Sequence, residues 1–153
     1  MWLLRRKKQL KLKPTIIIDY YIKEIRVLAE QGVPIWNSGL TYNQKRDLEK
    51  IQKVALTIIL GDEYQSYELA CDVFNLNDLS QRRLELSTNF AVKLYKSEKS
   101  SEFFTHSKAR LRARGEQQLV IENKCRTKRC YNAPHNYLTR LVNQNQARII
   151  SSL

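Results

Sequence analysis

The clearest structural signal in this sequence is a capping box formed by Thr41 and Gln44. Each side chain can accept a hydrogen bond from the free backbone N–H of the other residue, so the pair predicts the start of a helix. The next helix-ending residue is Gly61. The predicted core face of this helix consists of Leu48, Ile51, Ala55, Ile58 and Ile59. Such a helix must bury its apolar face against other elements.

Two further stretches show the same kind of pattern. Pro14 and Thr15 mark the start of a helix, and Gly32 marks its end. Its apolar face consists of Ile18, Tyr21, Ile22, Ile25, Leu28 and Ala29. Asp78 and Gln81 repeat the capping device farther along the chain. The helix that they open has an apolar face of Leu79, Leu86, Phe90, Ala91 and Leu94.

The chain after Ser100 is less regular than the part before it. Residues 101–115 are basic and compatible with a helix, whereas residues 117–133 show no sustained period. Within the second stretch, Val120 and Ile121 allow either a short strand or an extended arm.

Two shorter helices complete the predicted set. One spans Tyr67 to Phe74, and the last runs from Tyr137 to about Ile150 after Pro134. The sequence therefore predicts an all-α protein, a helical bundle of about four to six helices with a basic, partly extended C-terminal segment. We expect residues 1–100 to form a helical module and residues 101–153 to form a basic tail with a last helix.

Basic residues are concentrated at both ends of the chain. The 27 Lys and Arg against 15 Asp and Glu give a formal net charge of +12. Residues 1–13 hold six bases and no acid, and residues 101–153 hold ten bases and three acids, whereas residues 41–100 hold nine of each. This excess favours a polyanionic partner, either nucleic acid or an acidic membrane surface. If the two ends meet in space, they form one positive face; the alternative is two solvated tails.

The candidate nucleic-acid contacts lie in these two basic regions. Bases recur at every second position from Lys108 to Arg114, so they share one face if that segment is extended. A second group beside Tyr131 combines phosphate contacts with a ring that can stack on a base. The predicted contact residues are Arg5, Arg6, Lys7, Lys8, Lys108, Arg110, Arg112, Arg114, Arg126, Lys128 and Arg129.

We expect the chain to be intracellular, in the nucleus or the cytoplasm. It has no apolar run of about 18 to 20 residues, the length that a membrane-spanning helix needs. Its three cysteines are an odd number and follow no secretory leader, which favours free thiols in a reducing compartment. The basic residues before Pro14 also resemble a mitochondrial presequence or a nuclear-import signal.

The sequence contains no convincing catalytic or metal-binding constellation. Its four glycines are isolated, so it has no glycine-rich phosphate loop. The imidazoles of His106 and His135 have no acid close by in sequence. Cys125, Cys130 and His135 are evenly spaced, but a fourth zinc ligand is missing and several bases surround them. We therefore expect no catalytic residue, no metal and no cofactor.

Several strings resemble the region that follows the polymerase palm in non-LTR retrotransposon reverse transcriptases of the jockey-like kind. The most specific are VPIWNSGLT at Val33–Thr41 and LEKIQKVALTIILG at Leu48–Gly61. The others, in the same order and spacing as in that family, are WLLRR (Trp2–Arg6), DYYIKEIRVLAEQG (Asp19–Gly32), YQSYELA (Tyr64–Ala70), LSQRRLEL (Leu79–Leu86), FAVKLYKS (Phe90–Ser97) and APHNYLTRLVN (Ala133–Asn143). The resemblance covers residues 2–143.

The resemblance implies a thumb and post-thumb segment, whose helices hold the template–primer duplex in such RNA-directed DNA polymerases. It does not imply polymerisation by this chain. The palm's Tyr-X-Asp-Asp motif has no counterpart, and there is no endonuclease domain. The Cys/His knuckle of some relatives is also not reproduced, because Cys125, Cys130 and His135 have different spacing and are one ligand short.

The sequence thus predicts a non-catalytic remnant of a transposable element that binds RNA, DNA or their hybrid through backbone phosphates. Two alternatives remain open at this point. One is a helical protein-interaction module that docks a partner on exposed apolar faces. The other is the product of a truncated element with no selected function. Whether Met1 is a true start, and the oligomeric state, are left open.

Overall fold

The computed structural model describes residues 1–106 and 119–150. These residues fall into two compact units, one built from Met1–Gln31 and Thr41–Arg82 and the other from Gly32–Leu40 and Arg83–Leu153. The boundary expected at residue 100 lies inside the second unit. The all-α class is confirmed, since the described residues contain no β-strand.

The described helices are more numerous than the four to six expected, because two predicted helices are broken into shorter pieces and short helices form where none was predicted. In chain order, the first are α1 (Trp2–Gln9), α2 (Pro14–Tyr20), a π-helical turn (Tyr21–Arg26), α3 (Val27–Glu30), α4 (Val33–Trp36) and a 3-10 turn (Asn37–Gly39). They continue with α5 (Tyr42–Leu60), a 3-10 turn (Gly61–Glu63), α6 (Tyr67–Val73) and α7 (Leu79–Lys96). The remaining ones are α8 (Ser100–Phe103), α9 (Lys128–Tyr131), α10 (Pro134–Gln144) and α11 (Gln146–Ile150).

The capping box at the start of α5 is confirmed. The backbone N–H of Gln44 donates to Thr41 Oγ1 over 3.4 Å, and the backbone N–H of Thr41 donates to Gln44 Oε1 over 2.9 Å. The helix ends at Gly61, whose φ of 61° is a conformation that residues with a Cβ rarely adopt. A pair of capping hydrogen bonds therefore sets the start of the longest helix among the described residues, and a glycine sets its end.

The predicted core face of α5 is wrong in detail. Ala55 and Ile59 are buried as expected, but Leu48, Ile51 and Ile58 are only half-buried. The residues that α5 buries are Gln52, Ala55, Leu56, Ile59 and Leu60. Helices α1, α2 and α6 pack against α5. The face that they cover includes the polar residue Gln52, which a search for apolar residues alone does not select.

The helix predicted from Pro14 to Gly32 contains a π-helical turn. Ile18 and Tyr21 are buried as predicted, whereas Leu28 is 72% exposed. A π turn closes i→i+5 hydrogen bonds and so adds a residue to the turn. The extra residue shifts the α-helical register, which puts the side chain of Arg26, the last residue of the turn, inside. The side chain of Leu28, which follows the turn, lies in solvent.

The core of the first unit is formed where α1, α2 and the π turn meet α5 and α6. Its buried residues are Leu4, Ile17, Ile18, Tyr21, Ala55, Leu56, Ile59, Leu60, Ala70 and Cys71. Helix α6 confirms the short helix expected from Tyr67, and Ser66 caps it by accepting a hydrogen bond from the backbone N–H of Leu69.

The core of the second unit joins α7 to the C-terminal helices. Its buried residues are Ala91, Phe104, Val120, Leu138, Leu141, Val142 and Ile149. Phe90, predicted to lie in the core, is instead 42% exposed, and Arg83 and Ser87 on the same helix are buried. The buried face of α7 was predicted from apolar residues alone, so Arg83 and Ser87 were not assigned to it.

The C-terminal part also differs from the expectation. Val120, for which either a short strand or an extended arm was expected, forms an isolated antiparallel bridge with His106. Helix α9 was not predicted, and the last helix begins at Pro134 and breaks after Gln144. The backbone N–H of Asn145 contacts the carbonyl oxygens of Leu141 and Val142, which ends α10 before α11 begins. No helix in the described part of the chain is both long and apolar enough to cross a bilayer.

Candidate nucleic-acid interface

Helix α1 carries the four N-terminal bases of the predicted interface. Arg5 and Arg6 are exposed, and Arg6 donates to Gln9 Oε1 over 3.2 Å on the same helix. Lys7 and Lys8 lie closer to the body of the unit. The ammonium group of Lys7 is 4.4 Å from the centroid of the Tyr20 ring, a cation–π contact.

Lys8 has a structural partner. Its Nζ donates to the backbone carbonyl oxygens of Ile59 at 2.6 Å and Leu60 at 3.4 Å. These carbonyls belong to the last turn of α5, where the helix leaves acceptors without partners and a positive charge is favourable. Lys8 therefore caps the C-terminal end of α5, and within α1 the freest cations are those of Arg5 and Arg6.

The second predicted group lies on the exposed segment that leads into α9. Thr127 is the N-cap of that helix, with its Oγ1 accepting from the backbone N–H of Cys130 over 3.2 Å. Arg126, Lys128 and Arg129 are exposed on either side of this cap. No hydrogen bond or ion pair joins their side chains to another residue of the described part.

The remaining predicted group is the run of bases that precedes Gly115. Lys108, Arg110, Arg112 and Arg114 lie outside the described residues. The α1 residues and the Arg126–Arg129 segment belong to different compact units. The single positive face expected from the two chain ends therefore stays a prediction.

An additional base joins the Arg126–Arg129 segment through tertiary structure. The guanidinium of Arg140, on α10, lies 3.6 Å from the centroid of the Tyr131 ring at the end of α9. Tyr131 is 52% exposed, so part of the ring faces solvent although Arg140 covers one face. Sequence reasoning missed Arg140 because nine positions separate it from Tyr131, and no local pattern links them.

We call Arg126, Lys128, Arg129, Tyr131 and Arg140 together the α9 cluster. Residues 119–150, which contain this cluster, hold six bases and a single acid, Glu122. The Glu122 carboxylate accepts a hydrogen bond from Asn143 Nδ2 over 3.0 Å. A cleft of about 240 Å³ opens between Glu122, Tyr131 and Arg140. The region thus presents a mainly positive surface with an exposed aromatic ring.

The second unit also has a shallow groove lined by cations that the sequence did not single out. Lys93 and Lys96, in the last turn of α7, and Arg148 on α11 line a depression of about 480 Å³. Lys93 and Lys96 are three positions apart on a helix, which is a local signal for one face. The contribution of Arg148 depends on the packing of α11 and has no local signal.

The two histidines are engaged in packing contacts. Nε2 of His106 is 3.1 Å from Oγ of Ser100, and the His106 ring lies 5.4 Å from the ring of Tyr95. Ser100 is only 7% exposed, so its hydroxyl is poorly placed to attack a substrate from solvent. The His135 ring stacks on the Phe104 ring, with the two centroids 6.4 Å apart.

Within residues 1–106 and 119–150, no three His, Cys, Asp or Glu side chains come together as a metal-binding group. The carboxylate with the clearest perturbation is Asp47. Its hydrogen bond to Lys50 holds the pKa of the Asp47 carboxyl below its ordinary value. This pair is exposed on α5 and is a surface ion pair.

Comparisons with protein-family models, with curated protein sequences and with solved structures found no match to this chain. The geometry therefore defines the class on its own: an all-α protein of two helical units, with exposed bases around a partly exposed tyrosine in the second. The kinship with reverse transcriptases remains a prediction from the sequence strings.

Proposed function

We propose that this chain is a non-catalytic nucleic-acid-binding remnant of a non-LTR retrotransposon reverse transcriptase. It binds the phosphate backbone of a template–primer type duplex, RNA–DNA hybrid or related RNA or DNA, in the nucleus or the cytoplasm. The sequence strings support the kinship, and the α9 cluster supports the binding. The observation that carries the binding proposal is the exposure of Arg126, Lys128 and Arg129 without a described acidic partner.

Exposed cations of this kind favour phosphate contacts over base recognition. Flexible Lys and Arg side chains that neutralise phosphates release counterions, and this gain does not depend on sequence. Tyr131 adds an aromatic face, which stacks on any base with little preference. Arg140 covers one face of that ring and adds another cation. The cluster therefore suits binding with little sequence preference.

The experiment is a fluorescence-anisotropy titration of a labelled RNA–DNA hybrid at several salt concentrations. The logarithm of the affinity should fall linearly with the logarithm of the salt concentration, with a slope of about −0.9 for each phosphate neutralised. The triple variant Arg126→Ala, Lys128→Ala, Arg129→Ala should bind more weakly and flatten the slope by about 2 to 3. Two hybrids of different sequence should bind equally.

A charge-matched control separates local contacts from the overall positive charge. Lys45, Arg46 and Lys53 are exposed on α5, in the other unit, so their triple alanine variant removes the same formal charge. This control should change the salt slope less than the α9-cluster variant does. Equal effects of the two triple variants, or no binding at low salt, would contradict the proposal.

Exposed apolar residues favour a second candidate function, a protein-interaction module. Trp2 is 70% exposed, Leu10 is 69% exposed and Leu28 is 72% exposed, all in the first unit. A partner protein that covers these side chains removes their apolar surface from water, which stabilises the complex. Co-purification that survives nuclease and high salt, and that Trp2→Ala and Leu28→Ala abolish, would favour this function over nucleic-acid binding.

A further inference from the structure

Two cysteines lie next to each other at the edge of the α9 cluster. Sγ of Cys125 and Sγ of Cys130 are 3.2 Å apart, although four residues separate them in sequence. Thr127 brings them together, because its cap turns the chain into α9 and places Cys130 back over Cys125. The S–S bond of a disulfide is about 2.05 Å long, so a movement of about 1 Å joins the two sulfurs.

One amide group holds both thiols from the neighbouring helix. Nδ2 of Asn136, on α10, is 3.3 Å from Sγ of Cys125 and 3.6 Å from Sγ of Cys130, and it donates to the backbone carbonyl of Cys130 over 2.8 Å. The Oδ1 of Asn136 in turn accepts from Asn123 Nδ2 over 3.2 Å. An N–H donor that faces both sulfurs stabilises whichever of them carries negative charge.

The two thiols differ in their accessibility. Cys130 is exposed, whereas Cys125 is half-buried in the cleft beside Arg140. Hydrogen bonding with Cys130 raises the pKa of the Cys125 thiol. Exposure assigns the roles, with Cys130 as the attacking sulfur and Cys125 as the one that reacts second.

Cys71 is a useful contrast. It is 8% exposed in the core of the first unit, and burial raises the pKa of its thiol. Its sulfur accepts a hydrogen bond from Gln52 Nε2 at 3.6 Å. A buried, protonated thiol is a poor nucleophile, so Cys71 is a structural residue.

We propose that Cys125 and Cys130 form a reversible dithiol–disulfide site that exchanges with low-molecular-weight disulfides of the glutathione class. The Cys130 thiol loses its proton to solvent, and its thiolate attacks one sulfur of the disulfide. A mixed disulfide forms on Cys130 and one glutathione thiolate leaves. The Cys125 thiolate then attacks Sγ of Cys130, forms the internal disulfide and releases the second glutathione thiolate.

The exchange is balanced. The two cysteine sulfurs are oxidised by two electrons, and the small disulfide is reduced to two thiols that take up the two protons. Excess reduced glutathione reverses both steps. The second step is intramolecular, so the mixed disulfide is short-lived, because the effective concentration of a thiol on a short tether is at least millimolar.

The test incubates the full-length chain with oxidised glutathione, quenches with an alkylating reagent and measures intact mass and tryptic peptides. After the quench, the expected product carries two fewer alkyl groups than the reduced chain, with Cys125 linked to Cys130 and Cys71 unlinked. In Cys125→Ser the glutathione adduct on Cys130 should persist at least about tenfold longer than in the unaltered chain. Cys71→Ala should behave like the unaltered chain.

A second probe reads the distance between the two thiols without any oxidation. Phenylarsine oxide condenses with two adjacent thiols, forming two arsenic–sulfur bonds and releasing one water, and soft thiolates favour this bond. The unaltered chain should retain one arsenical after gel filtration, and Cys125→Ser and Cys130→Ser should lose it. Circular dichroism of each variant verifies that its helices are intact.

Three results would overturn the proposal: a stable double glutathione adduct on Cys125 and Cys130, a disulfide that links two chains, or equal arsenical retention by the single-cysteine variants. None of these readouts involves nucleic acid. The dithiol site and the proposed binding function can therefore fail independently of each other.

Discussion

Gln52 shows how a single polar residue organises the first unit. Its side chain is fully buried, and its Oε1 accepts from the Tyr21 hydroxyl over 3.2 Å. Its Nε2 donates to the Tyr67 hydroxyl and to the backbone carbonyl of Asn77, both at 3.0 Å. Buried polar groups must have partners, and here one amide joins α5 to the π turn, to α6 and to the start of α7.

The buried phenol of Tyr21 makes stability depend on pH. Burial raises the pKa of Tyr21 well above its ordinary value, which is about 10 in an unfolded chain. The stabilisation is complete below about pH 10 and is lost as pH rises, because the unfolded chain then binds fewer protons than the folded one. Above about pH 10, the free energy of unfolding should fall by up to about 1.4 kcal/mol per pH unit more steeply than in Tyr21→Phe.

Urea unfolding followed by circular dichroism between about pH 9 and pH 11 measures this difference in slope. Tyr21→Phe also loses the hydrogen bond to Gln52, so the comparison uses slopes and not absolute stabilities. Tyr42, whose side chain is 78% exposed, supplies the matched control, and Tyr42→Phe should keep the slope of the unaltered chain. If the free energy of unfolding fell with pH at the same rate in Tyr21→Phe and in the unaltered chain, the Tyr21 phenol would not be the source of the pH dependence.

At the scale of helices, local signals predicted where α5, α6 and α7 begin and where α5 ends. The capping box of α5 and the cap at Asp78, whose Oδ1 accepts from the backbone N–H of Gln81, are local hydrogen-bond patterns that sequence spacing reveals. Which face is buried depends on what packs against it. Leu56 was missed because the covering helices centre on Gln52, and Leu28 was misplaced because the π turn shifts the register.

The cap that Lys8 provides to α5 makes a prediction about α1. Lys8→Met should lower the free energy of unfolding by about 1 to 2 kcal/mol, because the carbonyls of Ile59 and Leu60 lose a charged donor. Arg5→Met, on the exposed side of the same helix, should change it by less than about 0.5 kcal/mol. Urea denaturation measures both values.

Binding to the hybrid duplex should show the opposite order. Arg5 is free to contact phosphate, so Arg5→Met should weaken binding more than Lys8→Met when both variants are folded. A Lys8→Met variant of unchanged stability would mean that the last turn of α5 does not depend on this contact.

At the scale of the whole molecule, the candidate site was only partly predictable. Arg126, Lys128 and Arg129 are adjacent in sequence, so their shared segment was found without a structure. Arg140 reaches Tyr131 only through the packing of α10, and Arg148 joins Lys93 only through the placement of α11. Such long-range pairs leave no trace in composition or periodicity.

The dithiol links redox state to the proposed binding function. The Cys125–Cys130 disulfide closes a loop that carries Arg126, Lys128 and Arg129, and it adds no charge. Pre-organising these bases lowers the entropy lost on binding, so the oxidised chain should bind the hybrid about two- to fivefold more tightly with an unchanged salt slope. Anisotropy titrations of the oxidised and reduced chain measure this effect.

Cys125→Ser and Cys130→Ser provide the control, since the oxidant should leave their affinity for the hybrid unchanged. If oxidation of the unaltered chain changed the salt slope, the number of phosphate contacts would have changed. Pre-organisation of the loop alone would then not explain the change in affinity. Identical affinities of the oxidised and reduced chain would place the hybrid contacts outside this loop.

The π turn at Tyr21–Arg26 affects how relatives of this chain must be compared with it. Such turns add one residue to a helix without unfolding its flanks. A relative that lacks the extra residue would have an uninterrupted α-helix at this place. Its sequence would align with this one only if a gap of one position were allowed inside the helix. Alignment schemes that forbid gaps within helices would then pair the wrong residues on one side of Tyr21, and the side chains of paired residues would point about 100° apart around the helix axis.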